Sequence, residues 1–119
     1  MELEKIQNAL QGVFYLATTD GDQPHVRPFD GAVVIDDKLY IATNNNKNVF
    51  KQILKNPKIE IFEMENNTIR FTARAYPAEE KSEEVYQTLE KKFTDTSIAL
   101  ELRNIKGYYR DTMGGELEL

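Results

Sequence analysis

The sequence predicts a mainly β fold: a six- or seven-stranded antiparallel Greek-key barrel with two or three helices outside it. Three observations carry this. Runs with period-two alternation recur along the chain, clearest at residues 59–62 and 69–75, where Ile59, Ile61, Ile69, Phe71, Ala73 and Ala75 define one face. Turn-forming pairs (Asp20-Gly21, Asp36-Asp37, Asn66-Asn67) punctuate these runs. A chain of 119 residues has apolar content for a single domain with one core, and closing the sheet into a barrel removes most of its free edges.

Taken in order, residues 2–11 read as a short helix with Leu3, Ile6 and Leu10 on one side, closed by Gly12. Residues 13–19 are a first strand, and Asp20-Gly21 turns it into a second over residues 25–35. That second strand contains Pro28, which cannot donate to a ladder, and Gly31, which weakens one, so an edge, a bulge or a close ligand approach is expected there. Arg27 lies at the break. Asp36-Asp37 leads into a third strand over residues 39–43, followed by an amphipathic helix over residues 46–56 that Pro57 ends. In that helix Val49, Phe50, Ile53 and Leu54 form a core face, while Lys47, Lys51 and Lys55 recur every four residues on another.

Residues 58–65 and 68–76 form a hairpin around Asn66-Asn67. Residues 78–93 read as a third helix, acidic at its start, with Val85, Leu89 and Phe93 four apart. A long strand through Ile98, Leu100, Leu102 and Ile105 to Tyr108 and Tyr109, bent at Gly107, is followed by a short edge strand after Gly114-Gly115.

Composition excludes several functions. There is no cysteine, His25 is the one histidine, and the two serines, Ser82 and Ser97, sit in no Gly-x-Ser-x-Gly turn. Thiolate chemistry, a Ser-His triad and a nitrogen- or sulfur-ligated metal site are therefore not expected. No apolar run approaches the roughly 20 residues of a membrane span, and the charged opening is unlike a signal peptide, so a cytoplasmic protein with no membrane partner is expected. The net charge is −5, yet residues 25–58 carry six Lys or Arg against three Asp. A local cationic excess on an acidic chain suits a small anionic ligand rather than nucleic acid.

The strongest pointer to such a ligand is Lys47. A cation in the first turn of a helix opposes the positive end of the dipole, at a cost of about 0.3–1 kcal/mol. A phosphate held by the first-turn N–H groups and Lys47, with Arg27 reaching in from a neighbouring strand, resolves that conflict. By itself a helical lysine stripe also reads as a solvated face, and Arg27 as a surface or ion-pair residue. Asn44, Asn45 and Asn46 are suited to cap the helix.

The runs FYLATTDGDQPHVRPF and LYIATNNNKNVFKQILKNPKIEI closely resemble the short members of the pyridoxamine 5'-phosphate oxidase-like, flavin-binding split-barrel family. The ordered match covers roughly residues 13–76. The resemblance implies a homodimer of split β-barrels with FMN in a groove at the interface. It assigns Arg27, Pro28 and Phe29 to the phosphate and ring, with further contacts from Thr43, Asn44, Lys47 and Asn48 and, beyond them, Lys51 and Gln52.

Where many relatives carry a basic residue beside the first lysine, this chain has Asn48. Its ending, RDTMGGELEL, does not resemble the basic segment that holds the substrate phosphate in true pyridoxamine phosphate oxidases. The implied activity is an FMN-dependent oxidoreductase passing hydride or electrons from NADH, NADPH or another donor to a different small-molecule acceptor. The alternative is a non-enzymatic module that binds flavin, haem or a deazaflavin, or serves in stress. No catalytic residue is assigned. His25 reads as a polar face residue, and Tyr108 and Tyr109 as packing.

Overall fold

Alternation along each strand decides which side becomes core, and in this computed structural model the apolar phases of the strands converge on one interior. Residues 2–65, 69–109 and 115–118 are described, with side chains for residues 3–65 and 69–107. Strands β1 (Val13–Asp20), β2 (Gln23–Asp30), β3 (Val33–Ile35), β4 (Lys38–Asn44), β5 (Lys58–Glu63), β6 (Ile69–Pro77), β7 (Ser97–Tyr109) and β8 (Gly115–Glu118) form one antiparallel sheet. Its order is β2-β1-β5-β6-β7-β4-β3, with β8 on β7. Phe14, Leu16, Ile41, Ile61, Phe71 and Leu100 are fully or almost fully buried inside the curl.

The fold is a mainly β split barrel with helices outside. The split lies between the ends of the sheet order. Among the described residues β2 pairs with β1 alone, and β4 past Tyr40 pairs with β7 alone, so β2 and the end of β4 face one another without a ladder.

Two turns show why the strands meet where they do. Gly21 takes φ +63° at the first position of the two-residue β1–β2 loop, where glycine carries no Cβ penalty. In the β3–β4 loop Asp36 and Asp37 take φ +51° and +61°, the paired left-handed conformation of a type I′ hairpin turn, which Asp tolerates.

Helix α1 (Glu2–Ala9) buries Ile6 and Ala9, and with them Leu10 just beyond its end. It is tied to the β2–β3 break by two side chains: Gln7 Oε1 accepts from the Val34 N–H, and Gln11 Nε2 donates to the Ala32 carbonyl over 3.1 Å. Helix α2 (Asn48–Lys55) lays Val49 and Ile53 on the barrel, and Asn56 Nδ2 bonds Thr19 Oγ1 at 3.0 Å to fix its far end. A short 3₁₀ turn (Glu79–Lys81) leads into α3 (Ser82–Thr88), whose Val85 and Tyr86 form a second apolar cluster against Tyr40, Ala42 and Ala99 on the outer face of β4 and β7. No helix among the described residues is long and apolar enough to cross a membrane.

Several expectations need correction. The mainly β antiparallel barrel and the edge strand β8 are as expected; what differs is the second predicted strand, which breaks at Gly31-Ala32 into β2 and β3 and brings the strands to eight. Pro28 stays inside β2, as an edge strand allows. Helix α2 is shorter than residues 46–56, and its N-cap is Lys47, with φ −88°, ψ 151° and no side-chain cap. The three asparagines do not cap it: Asn44 ends β4 and accepts from the Thr96 hydroxyl at 2.9 Å, while the Asn45 N–H bonds the Thr96 carbonyl at 2.8 Å.

Leu54 is 59% exposed and no part of the core face. Helix α3 stops at Thr88 rather than running to Phe93, because Glu90 turns left-handed at φ +56° and the Lys91 N–H bonds back to the Tyr86 carbonyl at 2.9 Å, a Schellman-type stop. In β7 the irregularity is at Asn104, φ +56°, where the register with β6 shifts. Gly107 serves close approach instead. The Asn66-Asn67 turn and the side chains of Tyr108 and Tyr109 lie outside the described residues.

Candidate functional site in the barrel seam

The open seam holds a cavity of about 150 Å³ lined by Arg27, Pro28, Phe29 and Asp30 of β2, Ala42 and Thr43 of β4, Lys47 and Val49 at the start of α2, and Lys91 beyond α3. Each wall has a local cause. β2 ends at Asp30, and the next residue, Gly31, takes a φ of +84°; a Cβ there would lie 3.1 Å from Leu89 Cδ2. Tyr86 donates its hydroxyl to the Thr43 carbonyl and fixes the end of β4. Phe29 stacks on Phe14, centroids 5.9 Å apart, which makes its ring a back wall continuous with the core.

Arg27 is half-buried and largely spoken for. Nη1 donates to the Leu16 carbonyl at 3.1 Å and to Thr18 Oγ1 at 2.9 Å, and Nη2 donates to Gln52 Oε1 at 2.9 Å. The Thr18 hydroxyl in turn donates to Gln52 Oε1. The triangle pins β1, β2 and α2 to one another and leaves Nε–H and one Nη2–H of the five guanidinium donors without a partner among the described residues. Burial pulls the Arg27 pKa below its ordinary value, yet a guanidinium stays charged at any physiological pH.

The other two cations differ from Arg27 and from each other. Lys47 is exposed at an uncapped helix N-terminus. Lys91 Nζ bonds the Asp30 carbonyl at 2.9 Å and its carboxylate as an ion pair, with side-chain exposures of 31% and 63%. Three cations against one carboxylate leave the cavity positive. Its chemistry is that of an anion site with apolar walls, and its lining residues include no histidine, serine or cysteine.

Of the nine residues expected from the sequence, Arg27, Pro28, Phe29, Thr43 and Lys47 line the cavity. Gln52 acts one layer behind, holding Arg27, and Asn44 holds the Thr96 loop. Asn48 and Lys51 lie exposed on α2 and line no part of it. Sequence reasoning missed Asp30, Ala42, Val49, Thr18 and Lys91. A signal existed for Thr18, a polar residue in the inward phase of Phe14 and Leu16, and it is 2% exposed. None existed for Lys91, which meets Asp30 across 61 residues.

Fold and seam together define a class first: split β-barrels with a cationic groove where the barrel fails to close. Within that class the chain belongs to the pyridoxamine 5'-phosphate oxidase-like family, since the family model described as pyridoxamine 5'-phosphate oxidase matches residues 3–108. Among solved structures it is similar to a NimC/NimA family protein from Clostridium acetobutylicum, with 31% identity over 100% of this chain and 94% of that one and a TM-score of 0.83. It shares its fold with general stress protein 26 of Bacillus anthracis, at 20% identity, full coverage of both chains and a TM-score of 0.73. The same holds for HutZ, the haem storage protein of Vibrio cholerae, at 19% identity over 87% of this chain and 90% of that one with a TM-score of 0.61. No curated protein sequence matches the chain.

Proposed function

We propose that the seam binds FMN by its phosphate and that the protein is an FMN-dependent oxidoreductase, acting as a homodimer on a small-molecule acceptor other than pyridoxamine phosphate. The observation that carries this is the convergence of Lys47, Lys91 and Arg27 with an uncapped helix start on one cavity, in a chain whose family is flavin-binding by resemblance.

Phosphate groups favour helix N-termini because first-turn N–H groups and the dipole both point at them. Lys47 adds charge at that point, while Arg27, through Thr18 and Gln52, keeps α2 in register with β1 and β2. Bound FMN supplies the hydride and electron chemistry itself. What this chain contributes is position and exclusion of water: Ala42 and Val49 give a smooth apolar wall, and Phe29 a fixed one. Among the described residues β2 has a ladder partner on one side only, which leaves backbone groups on its other side to meet polar ring atoms.

Size supports the dimer. The cavity of about 150 Å³ is half of the roughly 300 Å³ at the small end of ligand pockets, so it suits a phosphate and its linker, and a flavin ring must extend beyond it. Next to it the outer face of β2-β1-β5 presents a patch rather than isolated apolar residues. Tyr15 pairs across to Pro28 on one side and Phe62 on the other, and Val26 pairs with Ala17. Val13, Tyr15, Val26 and Phe62 are 52%, 48%, 68% and 37% exposed. Contiguous exposed apolar surface of this kind marks an association site. Pro28 belongs to both cavity and patch, which would put the ring where a second copy covers it.

The deciding experiment is a visible absorption spectrum of the purified protein before and after adding FMN and removing the excess, followed by NADH or NADPH. Retained flavin bands bleached by a reduced nicotinamide are expected. Protein that retains no FMN sinks the assignment. A Soret band instead would favour haem, a reading for which half-buried His25, on the same face of β2 as Arg27, is the one imidazole available.

A further inference from the structure

We propose that Lys91 is the second phosphate-binding cation of the seam, masked by Asp30 until the ligand arrives. The inference rests on the FMN reading above and names a residue that lies beyond α3, far in sequence from the strand-helix stretch. A phosphate monoester carries about two negative charges at neutral pH, and the start of α2 offers one ammonium group, Lys47. Within the same cavity the other ammonium group is Lys91, while Arg27 spends three of its five donors on Leu16, Thr18 and Gln52.

Lys91 is also prepared for the role. Its own N–H bonds the Tyr86 carbonyl at 2.9 Å, and Tyr86 is bolted to Thr43 at the cavity wall. Leu89, two residues earlier, seats against Gly31. The turn that ends α3 is thereby fixed to both sides of the seam, and the Lys91 stem has little freedom to wander.

Its partner is the looser half of the pair. Asp30 is 63% exposed and Lys91 is 31% exposed. An arriving phosphate therefore exchanges for the Asp30 carboxylate, which turns out to solvent, while Lys91 keeps its bond to the Asp30 carbonyl. Asp30 lowers the affinity by competing for the ammonium group and spares the empty site an unpaired lysine.

The test compares FMN with riboflavin, which lacks the phosphate, by fluorescence titration at two salt concentrations. The proteins are wild type, Lys91→Met, Lys91→Arg and Asp30→Asn. Lys91→Met should bind FMN about tenfold more weakly with a flatter salt dependence and riboflavin as before. Lys91→Arg should restore most of the loss, and Asp30→Asn should bind FMN severalfold more tightly.

Unchanged FMN affinity in Lys91→Met, or an equal loss for both flavins, overturns the proposal and makes Lys91 a piece of wall. If Lys91→Met does not fold, Asp30→Asn decides, and unchanged FMN affinity in it overturns the exchange. Wild type that binds neither flavin overturns the FMN reading itself, and this inference with it.

Discussion

The barrel meets itself in two places that were built in opposite ways. Where β6 runs against β7 the strands are closed by a long ladder and drawn together until only glycine fits. Outside them Glu101 holds Arg103 by Nε at 2.9 Å and Nη2 at 3.1 Å, and the Arg103 guanidinium lies 4.8 Å from the centroid of the Tyr76 ring. Where β2 faces β4 no ladder forms among the described residues; the Asp30 and Thr43 carbonyls are taken by the Lys91 and Tyr86 side chains, and Lys47 is exposed. The first seam spends its hydrogen-bonding groups on stability. The second keeps more of them free, and its braced cation, Arg27, ties β2 to β1 and α2 beside the gap.

Substitutions at the two seams should therefore fail in different currencies. The largest effect is expected at Gly107. A Cβ there would lie 2.2 Å from the Arg70 carbonyl oxygen and 2.4 Å from Phe71 Cα, both backbone atoms that cannot turn aside. Gly107→Ala forces β6 and β7 apart at an expected cost of about 3 kcal/mol, a fall in Tm of roughly 10 °C. Flavin affinity of the protein that remains folded should be unchanged. A Tm within a few degrees of wild type would show that β7 yields there and that the closed seam is softer than its ladder implies.

At the open seam Arg27 and Lys47 should separate. Arg27→Met removes three hydrogen bonds from a charged donor and leaves Thr18 and Gln52 to pair with one another, for an expected loss of about 1–2 kcal/mol together with flavin retention. Lys47→Ser does the reverse. Serine at this N-cap position, with its extended backbone, can accept from the first-turn N–H groups that Lys47 leaves uncapped, and the dipole conflict disappears. Stability should rise by about 0.5–1 kcal/mol while FMN affinity falls about tenfold. Thermal unfolding and flavin titration on the same samples check both. Lys47→Ser that loses stability would show that Lys47 is a packing residue and that its place in the helix start is not kept for a ligand.

The same contrast explains what the sequence could and could not reveal. The order of strands and helices is legible because each depends on local chemistry: alternation, Asp-Gly and Asp-Asp turns, and a proline after α2. Half of the site is legible for the same reason, since Arg27, Pro28, Phe29, Thr43 and Lys47 lie on two consecutive pieces of that local pattern. The rest is set by tertiary fit. Leu54 has the spacing of a core residue, but α2 is only two turns long and its buried face takes Val49 and Ile53. Helix α3 has apolar spacing through Phe93, but Glu90 adopts a left-handed conformation that glutamate seldom takes, and that turn is what delivers Lys91 to Asp30. Arg27 reads on the sequence as a phosphate ligand or a surface residue, and its bracing role is not legible there, because Thr18 and Gln52, 34 residues apart, meet beneath it.

The smallest expected effect tests the closed seam from its outer face. The hydrogen bond from Arg103 holds the Glu101 carboxyl below its ordinary pKa of 4.5, outweighing the burial that would raise it, with the charges of Arg103 and Lys38 adding to the depression. A carboxyl depressed in the folded state stabilises it fully above the unfolded pKa and stops doing so as pH falls through the folded one. The window is thus from about 4.5 downward. Arg103 is 54% exposed, so solvent screens the pair and the contribution is small. Glu101→Gln should lower Tm by about one or two degrees at neutral pH, and the gap to wild type should close as both are taken below pH 4.5. A gap that persists undiminished into acid would mean that Glu101 acts there through shape and neutral hydrogen bonding, and that the closed seam owes nothing to charge.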